Sequence, residues 1–259
     1  MNEMAYFERI DGERFVATEQ VGGAWRLEEQ HIAPALGLLA HLVEVDRDQR
    51  RDDGLTLARL SYDILGTMSV GEVATSVRVL RPGRTIELVE ATMSQGGRSA
   101  VILRAWLMEQ RDTSGLAASP LPSIPQPSEM DAWTPGKVWP GGFISTAQVR
   151  RDQVEPGRAA FWVRSDVPLL EGESVGAVPH AARLLDIANG MTVRVDPMTV
   201  HFPNLDLTAD YFREPRGDWV GFDTSVSFGP NGVGLTSSVL HDESGPVGTL
   251  NQLLTVRPR

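Results

Sequence analysis

The sequence contains no cysteine among its 259 residues, so any chemistry must come from carboxylate, imidazole, hydroxyl and amide groups. The residue that stands out among these is Asp186. It sits in VPHAARLLDIANGM among Ala182, Leu184, Leu185, Ile187 and Ala188, a pattern that predicts a buried helix over Val178 to Gly190. A carboxylate in apolar surroundings holds its proton more tightly and can act as a general base near neutral pH. The plain structural role for it would be capping, or pairing with nearby Arg183. Gln252 alternates with Leu250 and Leu254 in VGTLNQLLTV and therefore shares their strand face, where an amide can orient water without titrating. Asn204 follows Pro203 at the start of a predicted strand, where it can serve as a turn residue or as an amide donor. His41 falls on an apolar helix face, the usual place of a core histidine. His31 precedes that helix and can cap it or line an entrance. His180, His201 and His241 are scattered with no metal-ligand spacing, so no metal site is expected.

The elements that must position these side chains are legible as periodicity. Ile32, Leu36, Leu39, Ala40 and Val43 recur at helical spacing within Ala24 to Val45, with Pro34 placed as a first-turn residue and one buried stripe expected. The basic run Arg47 to Arg51 reads as a solvated helix end. Four alternating runs follow, Leu55 to Tyr62, Glu72 to Leu80, Thr85 to Met93 and Ser99 to Met108, and the last two meet at a Gly96-Gly97 turn as a hairpin. Ala5 to Ala17 adds a strand and turn ahead of the helix. Prolines 120, 122, 125, 127, 135 and 140 make the stretch from Gln110 to Gly142 an extended connector, with Trp133 and Trp139 pinning its far end to a surface. Beyond it the order returns: strand Ala159 to Ser165, helix Val178 to Gly190, and strands Asn204 to Phe212, Val220 to Phe228, Gly232 to His241 and Val247 to Val256.

This is an internal repeat. Laying Pro34 on Pro179 puts His41 at the position of Asp186, and laying the Gly97 turn on Gly245 puts Arg104 at that of Gln252. The first half would then lack the polar set of the second, leaving one site per chain with His41 and Arg104 as walls or binding charge. The expected domains are 1–112, a connector 113–141, and 142–259 carrying the site. The expected fold class is α+β, two antiparallel sheets each wrapped around a central helix and packed as a pseudo-twofold pair.

The helix bearing Asp186, the strand and corner NLDLTADYFREP, the first-half stretch VRVLRPGRTIELVEATMSQGGRSAVILRAW and the terminal VGTLNQLLTVRP resemble double-hotdog acyl-CoA thioesterases of the thioesterase II type. The resemblance covers nearly the whole chain. It implies hydrolysis of an acyl thioester by direct water attack, with no cofactor other than coenzyme A as part of the substrate. In that family an Asp, a Ser or Thr and a Gln hold the hydrolytic water. Asp186 and Gln252 match the first and last, while Asn204 stands where the hydroxyl residue would be, with Thr208 too far along the strand to replace it. Backbone N–H groups at Gly176 to Val178 are expected to meet the oxyanion, so Gly176 and Val178 join the binding set with His31, His41 and Arg104. Arg81, Arg84 or Arg213 are expected to meet the nucleotide. Two other readings stay open: a hotdog protein that binds an acyl thioester or apolar ligand without turnover, and an enoyl-CoA hydratase using Asp196 and His201, whose surrounding residues lack the Asn-Pro context of that motif.

The net charge of −10, from 34 acids against 24 bases, argues against a nucleic-acid partner. The N-terminus resembles no secretory signal and no apolar run is long enough to span a bilayer, so a cytoplasmic protein without membrane contact is expected. Because hotdog sheets have edges to cover, further pairing as a dimer of double hotdogs is also expected.

Overall fold

The structure is a computed structural model and describes residues 5–23 and 25–259. Met1 to Met4 and Ala24, on which the charged start and the head of the first apolar segment fall, lie outside the described residues. In chain order come β1 (Phe7–Arg9), β2 (Arg14–Ala17), α1 (Ile32–Arg50), β3 (Thr56–Ile64), β4 (Gly71–Arg81), β5 (Ile86–Gln95) and β6 (Arg98–Met108). The connector holds β7 (Ala132–Trp133), then α2 (Gly142–Thr146), β8 (Gln148–Glu155) and β9 (Arg158–Arg164). After these come α3 (Ala177–Ala182), a 3-10 turn Leu185–Ile187, α4 (Ala188–Met191), β10 (Val200–His201) and β11 (Asp206–Tyr211). The chain closes with β12 (Val220–Phe228), β13 (Val233–Asp242), β14 (Gly245–Thr255) and β15 (Arg257–Pro258).

Two hotdog units share one continuous sheet, in the order β1-β2-β4-β5-β6-β3-β11-β14-β13-β12-β9-β8-β7. Read outward from the β3–β11 junction, the two directions present the same succession of elements. Ser61 pairs with Thr208 at the centre of the junction, their hydroxyls 3.0 Å apart, and this pair marks the local pseudo-twofold axis. The two small β-branched or hydroxyl side chains let the halves join edge to edge, so neither sheet leaves this edge unpaired.

α1 lies against the first-half strands on one side and against α3 on the other. Every residue from Ala33 to Val43 is therefore buried, where the periodicity predicted a single buried stripe. An all-round apolar helix is what a central position requires. The second-half helix differs from the prediction more sharply, because it is broken into α3, the 3-10 turn and α4. The break comes at Arg183 and Leu184, where Arg183 leaves the helix path to donate to the carbonyl oxygens of Val167 and Ser165. α1 crosses tightly at this point: a Cβ on Gly37 would lie 2.6 Å from Arg183 Cβ, so only glycine allows the approach. The break presents Asp186 on a 3-10 turn rather than in mid-helix.

The first-half strands fall within a few residues of their predicted ranges. β8 shows no alternating apolar pattern in the sequence because its residues Gln148 to Glu155 are mostly polar and exposed, as suits a strand near the sheet edge. The proline-rich connector is docked along the second half. Trp162 Nε1 donates to Pro125 O (2.8 Å), His241 Nε2 lies 2.9 Å from Pro122 O, and β7 pairs with β8.

Candidate active site

Asp186 is 8 % exposed and opens on a cavity of about 440 Å3, within the range of small-molecule pockets. The walls come from both halves and the connector: His31 and Ile32 from the start of α1, Ile64 from the end of β3, Trp139 from the connector, Met191 and Phe202 from the second half. Trp25, Trp139 and Phe202 meet edge to face, with ring centroids 4.9 to 5.9 Å apart. Trp139 is fixed by its Nε1–H, which donates to Gly190 O at 2.8 Å.

Two amides converge on one oxygen of the carboxylate. Asn204 Nδ2 donates to Asp186 Oδ1 at 2.7 Å and to Asp206 O at 3.1 Å, which fixes the orientation of its amide. Gln252 Nε2 approaches the same Oδ1 at 3.4 Å. Asn204 is placed by a backbone bridge to Leu254 just ahead of β11, and Gln252 by the inner face of β14. Arg183 turns away from Asp186, so the carboxylate has no cationic partner on its own segment. Burial raises its pKa to about 7, and the Asn204 hydrogen bond opposes part of that rise.

The other oxygen, Oδ2, faces His31 Nδ1 at 3.8 Å. This is not an ion pair. His31 Nδ1 accepts from the Ala33 N–H at 3.2 Å as the helix cap, so this nitrogen carries no proton. Burial also lowers the His31 pKa to about 3, which keeps the ring neutral with its proton on Nε2. Asp186 Oδ2 is thus the oxygen free to take a proton. Gln252 Oε1, opposite it in the amide, is buried without a partner, as is Thr236 Oγ1, and Thr236 is the cross-strand neighbour of Gln252.

The structure brings together Asp186, Asn204, Gln252 and His31, and separates the remaining expected residues from them. Arg104 points from the outer face of β6 to Glu90 (3.1 Å). The strand register explains the error. Ser61 on β3 pairs with Arg104, whereas its counterpart Thr208 on β11 pairs with Asn251, so Arg104 corresponds to Asn251 and Ala105 to Gln252. A slip of one residue in matching the repeats moves a side chain to the opposite face. Gly176, Val178 and His41 line a different cavity. The helix N-terminus that faces Asp186 is that of α1, not α3, because the pseudo-twofold pairs each helix start with the other half's site. Arg213 is held bidentately by Asp242, and neither Arg81 nor Arg84 lines the Asp186 cavity, where the arginine present is Arg257. Thr208 is engaged with Ser61 at the junction. Asp196 caps the turn before Thr199, and His201 stacks on Trp25, so these two do not form a hydratase pair. The aromatic wall, and Asn189, went unnoticed in the sequence. Trp139 was visible as a pinned tryptophan, and the repeat could have pointed to Ile64.

Among the described residues no helix is long and apolar enough to cross a membrane. Residues 22–108 match the family model described as the acyl-CoA thioesterase N-terminal domain, and residues 119–256 match the model described as the acyl-CoA thioesterase C-terminal domain. No curated protein matches the chain. Among solved structures, a hot dog fold protein of unknown function from Alicyclobacillus acidocaldarius superposes with a TM-score of 0.74 at 14% identity, over 96% of this chain and 95% of that one. The acyl-CoA thioesterase II TesB2 of Mycobacterium marinum gives 0.69 at 17% identity, over 98% and 96%. The tesB protein of Mycobacterium avium subs paratuberculosis gives 0.65 at 18%, over 97% and 96%. Both repeats of the double hotdog being matched in order, the chain belongs to the acyl-CoA thioesterase family.

Proposed function

We propose that the protein hydrolyses an acyl-CoA thioester at the Asp186 site by direct attack of water, without a covalent intermediate and without a cofactor. The observation that carries this is a buried carboxylate with one oxygen held by two amides and the other free, at the wall of an apolar cavity. As water attacks the carbonyl carbon, Asp186 Oδ2 takes its proton and the carbonyl π electrons move to oxygen. Collapse of the tetrahedral oxyanion breaks the C–S bond, and the proton held by Asp186 can pass to the leaving thiolate.

The oxyanion needs donors. Ala33 N–H is taken by His31 and Pro34 has none, so Ile32 N–H is the first-turn donor of α1 that its own helix leaves free. His31 Nε2–H is a second donor, kept protonated by the cap that occupies Nδ1. Asn204 supports this reading despite replacing a hydroxyl: it places a donor on Asp186, and its carbonyl oxygen remains an acceptor for the water. The acyl group would lie against Trp25, Trp139 and Phe202, and Arg257, on the cavity wall, would meet the charged part of coenzyme A.

The test is thiol release from acyl-CoAs of several chain lengths, by the wild type and by Asp186→Asn. Release that depends on Asp186 supports the proposal. Undiminished release in the variant, or saturable binding with no release at any chain length, would overturn it.

A further inference from the structure

The pseudo-twofold axis relates the Asp186 cavity to a second one of about 1210 Å3. The correspondence holds residue by residue: Ile64 matches Tyr211, Asn189 matches Glu44, Thr255 matches Met108 and Asn204 matches Leu57, each lining its own cavity. His41 takes the place of Asp186. With Leu57 for Asn204 and Ala105 for Gln252, this cavity has none of the three side chains that make up the first site. It nevertheless carries its own polar set, in which His41 Nδ1 and the Tyr211 hydroxyl are buried without a partner.

His41 Nε2 lies 3.4 Å from Glu173 Oε2, and Arg9 holds Glu173 bidentately, keeping its carboxyl below the usual range. Burial lowers the His41 pKa, so the ring is neutral and donates its Nε2–H to Glu173. Nδ1 is then a bare acceptor, and it is buried with no partner, as is the hydroxyl of Tyr211. Glu44 stands one helical turn from His41 on the same face of α1. Its carboxylate lies so close to Gly176 that a Cβ there would come within 2.2 Å of Oε2, and glycine at the start of α3 is what leaves room for it.

The arginines of this cavity are already committed. Arg47 pairs with Asp48 at 2.7 Å and reaches Glu44 only at 3.8 Å, Arg111 pairs with Glu109, and Arg213 with Asp242. Among the described residues Glu214 has no close basic partner, and Glu44 has only the 3.8 Å approach of Arg47, with burial raising its pKa to about 7 against the opposing pull of that arginine. The lining carries four acids against three arginines that are already paired, a balance that does not favour the phosphates of coenzyme A. It offers the acceptor His41 Nδ1 and the Glu44 carboxyl at one end, and Leu55, Leu57, Ile86, Met108 and Val178 along the walls.

We propose that this second cavity is a small-molecule site for an alkylammonium group, with the charged head between His41 Nδ1 and Glu44 and the tail along the apolar walls. The proposal does not depend on thioester hydrolysis at the first site. Titration calorimetry of the full chain with n-octylammonium chloride, sodium octanoate and 1-octanol tests it. Octylammonium is expected to bind one per chain, at least tenfold more tightly than either comparison ligand. Glu44→Gln and, independently, His41→Leu are each expected to weaken it at least tenfold, and Asp186→Asn to leave it unchanged, with unfolding midpoints confirming that each variant is folded. Equal binding of octanoate or octanol would refute recognition of the cation. Loss of binding in Asp186→Asn with retention in Glu44→Gln would assign the ligand to the first cavity, and no saturable binding would refute the site.

Discussion

The two halves build the same frame and fill it with different chemistry. Gln252, Thr236, Ser238 and Thr224 lie on the inner face of the second-half strands, and their counterparts by register are Ala105, Val89, Ala91 and Val77. Four polar positions in one half are four aliphatic or methyl positions in the other, and the position of Asp186 is held by His41 in the first half. The first half shows that the hotdog frame packs well with an apolar inner face. The polar set of the second half is therefore not required by the fold, and keeping it costs stability: Asp186 is desolvated, and Gln252 Oε1 and Thr236 Oγ1 go without partners.

Replacing second-half residues by neutral or first-half ones tests this contrast. The largest effect is expected from Asp186→Asn, which keeps shape but removes the base: thiol release should fall about 10^2- to 10^4-fold. The same variant should be the more stable protein above pH 7. In the wild type the folded-state pKa of Asp186 is raised to about 7 from the ordinary 3.8, so the folded state keeps a proton that the unfolded chain releases. Its stability then falls as pH rises from near 4 to near 7 and is level above, a loss on the order of 2–4 kcal/mol that Asp186→Asn should not show. Denaturant unfolding at pH 5 and pH 8 measures it, and a constant difference between the two proteins would contradict the assignment.

Next in size is the pH profile itself. Because only the carboxylate can accept a proton, kcat/KM should climb about tenfold per pH unit below 7 and level off above it. Asn204→Leu, which installs the residue found at Leu57, removes the hydrogen bond that lowers the Asp186 pKa. Its activity should drop about tenfold or more at pH 7, with the inflection moved to higher pH, and an unmoved inflection would show that the Asn204 bond does not tune the carboxylate. The smallest effect is expected from Thr236→Val, the residue of the first half at Val89. Removing a buried hydroxyl without a partner should leave stability unchanged or raise it by about 1 kcal/mol. A fall in kcat in that variant, with KM unchanged, would show that Thr236 orients the Gln252 amide.

Much of this architecture is legible in the sequence, because strand alternation, the repeat and the apolar helices are local patterns. Asp186 and Gln252 stand out for the same reason, as polar residues on apolar faces. Three things are not local. The break after Arg183 depends on carbonyl oxygens of Ser165 and Val167, eighteen and sixteen residues earlier in the chain. The match of Arg104 to Gln252 fails by a single residue because the glycine turns do not fix the register of the two hairpins, and only the cross-strand pairing settles the face. The placement of Gly176 and Val178 away from Asp186 follows from how the two central helices lie against each other, so that each helix starts at the other half's cavity.

The β3–β11 ladder also bears on how the protein unfolds. Backbone hydrogen bonds run unbroken through the junction, and each cavity takes walls from both halves. Neither half can open without stripping an edge from its neighbour and breaching both cavities. The chain should therefore melt as one cooperative unit rather than as two repeats in succession. Cleaving the connector between Gln110 and Pro127 should leave two fragments that elute together and regain a shared transition, since what joins them is the ladder and the helix contact, not the covalent link.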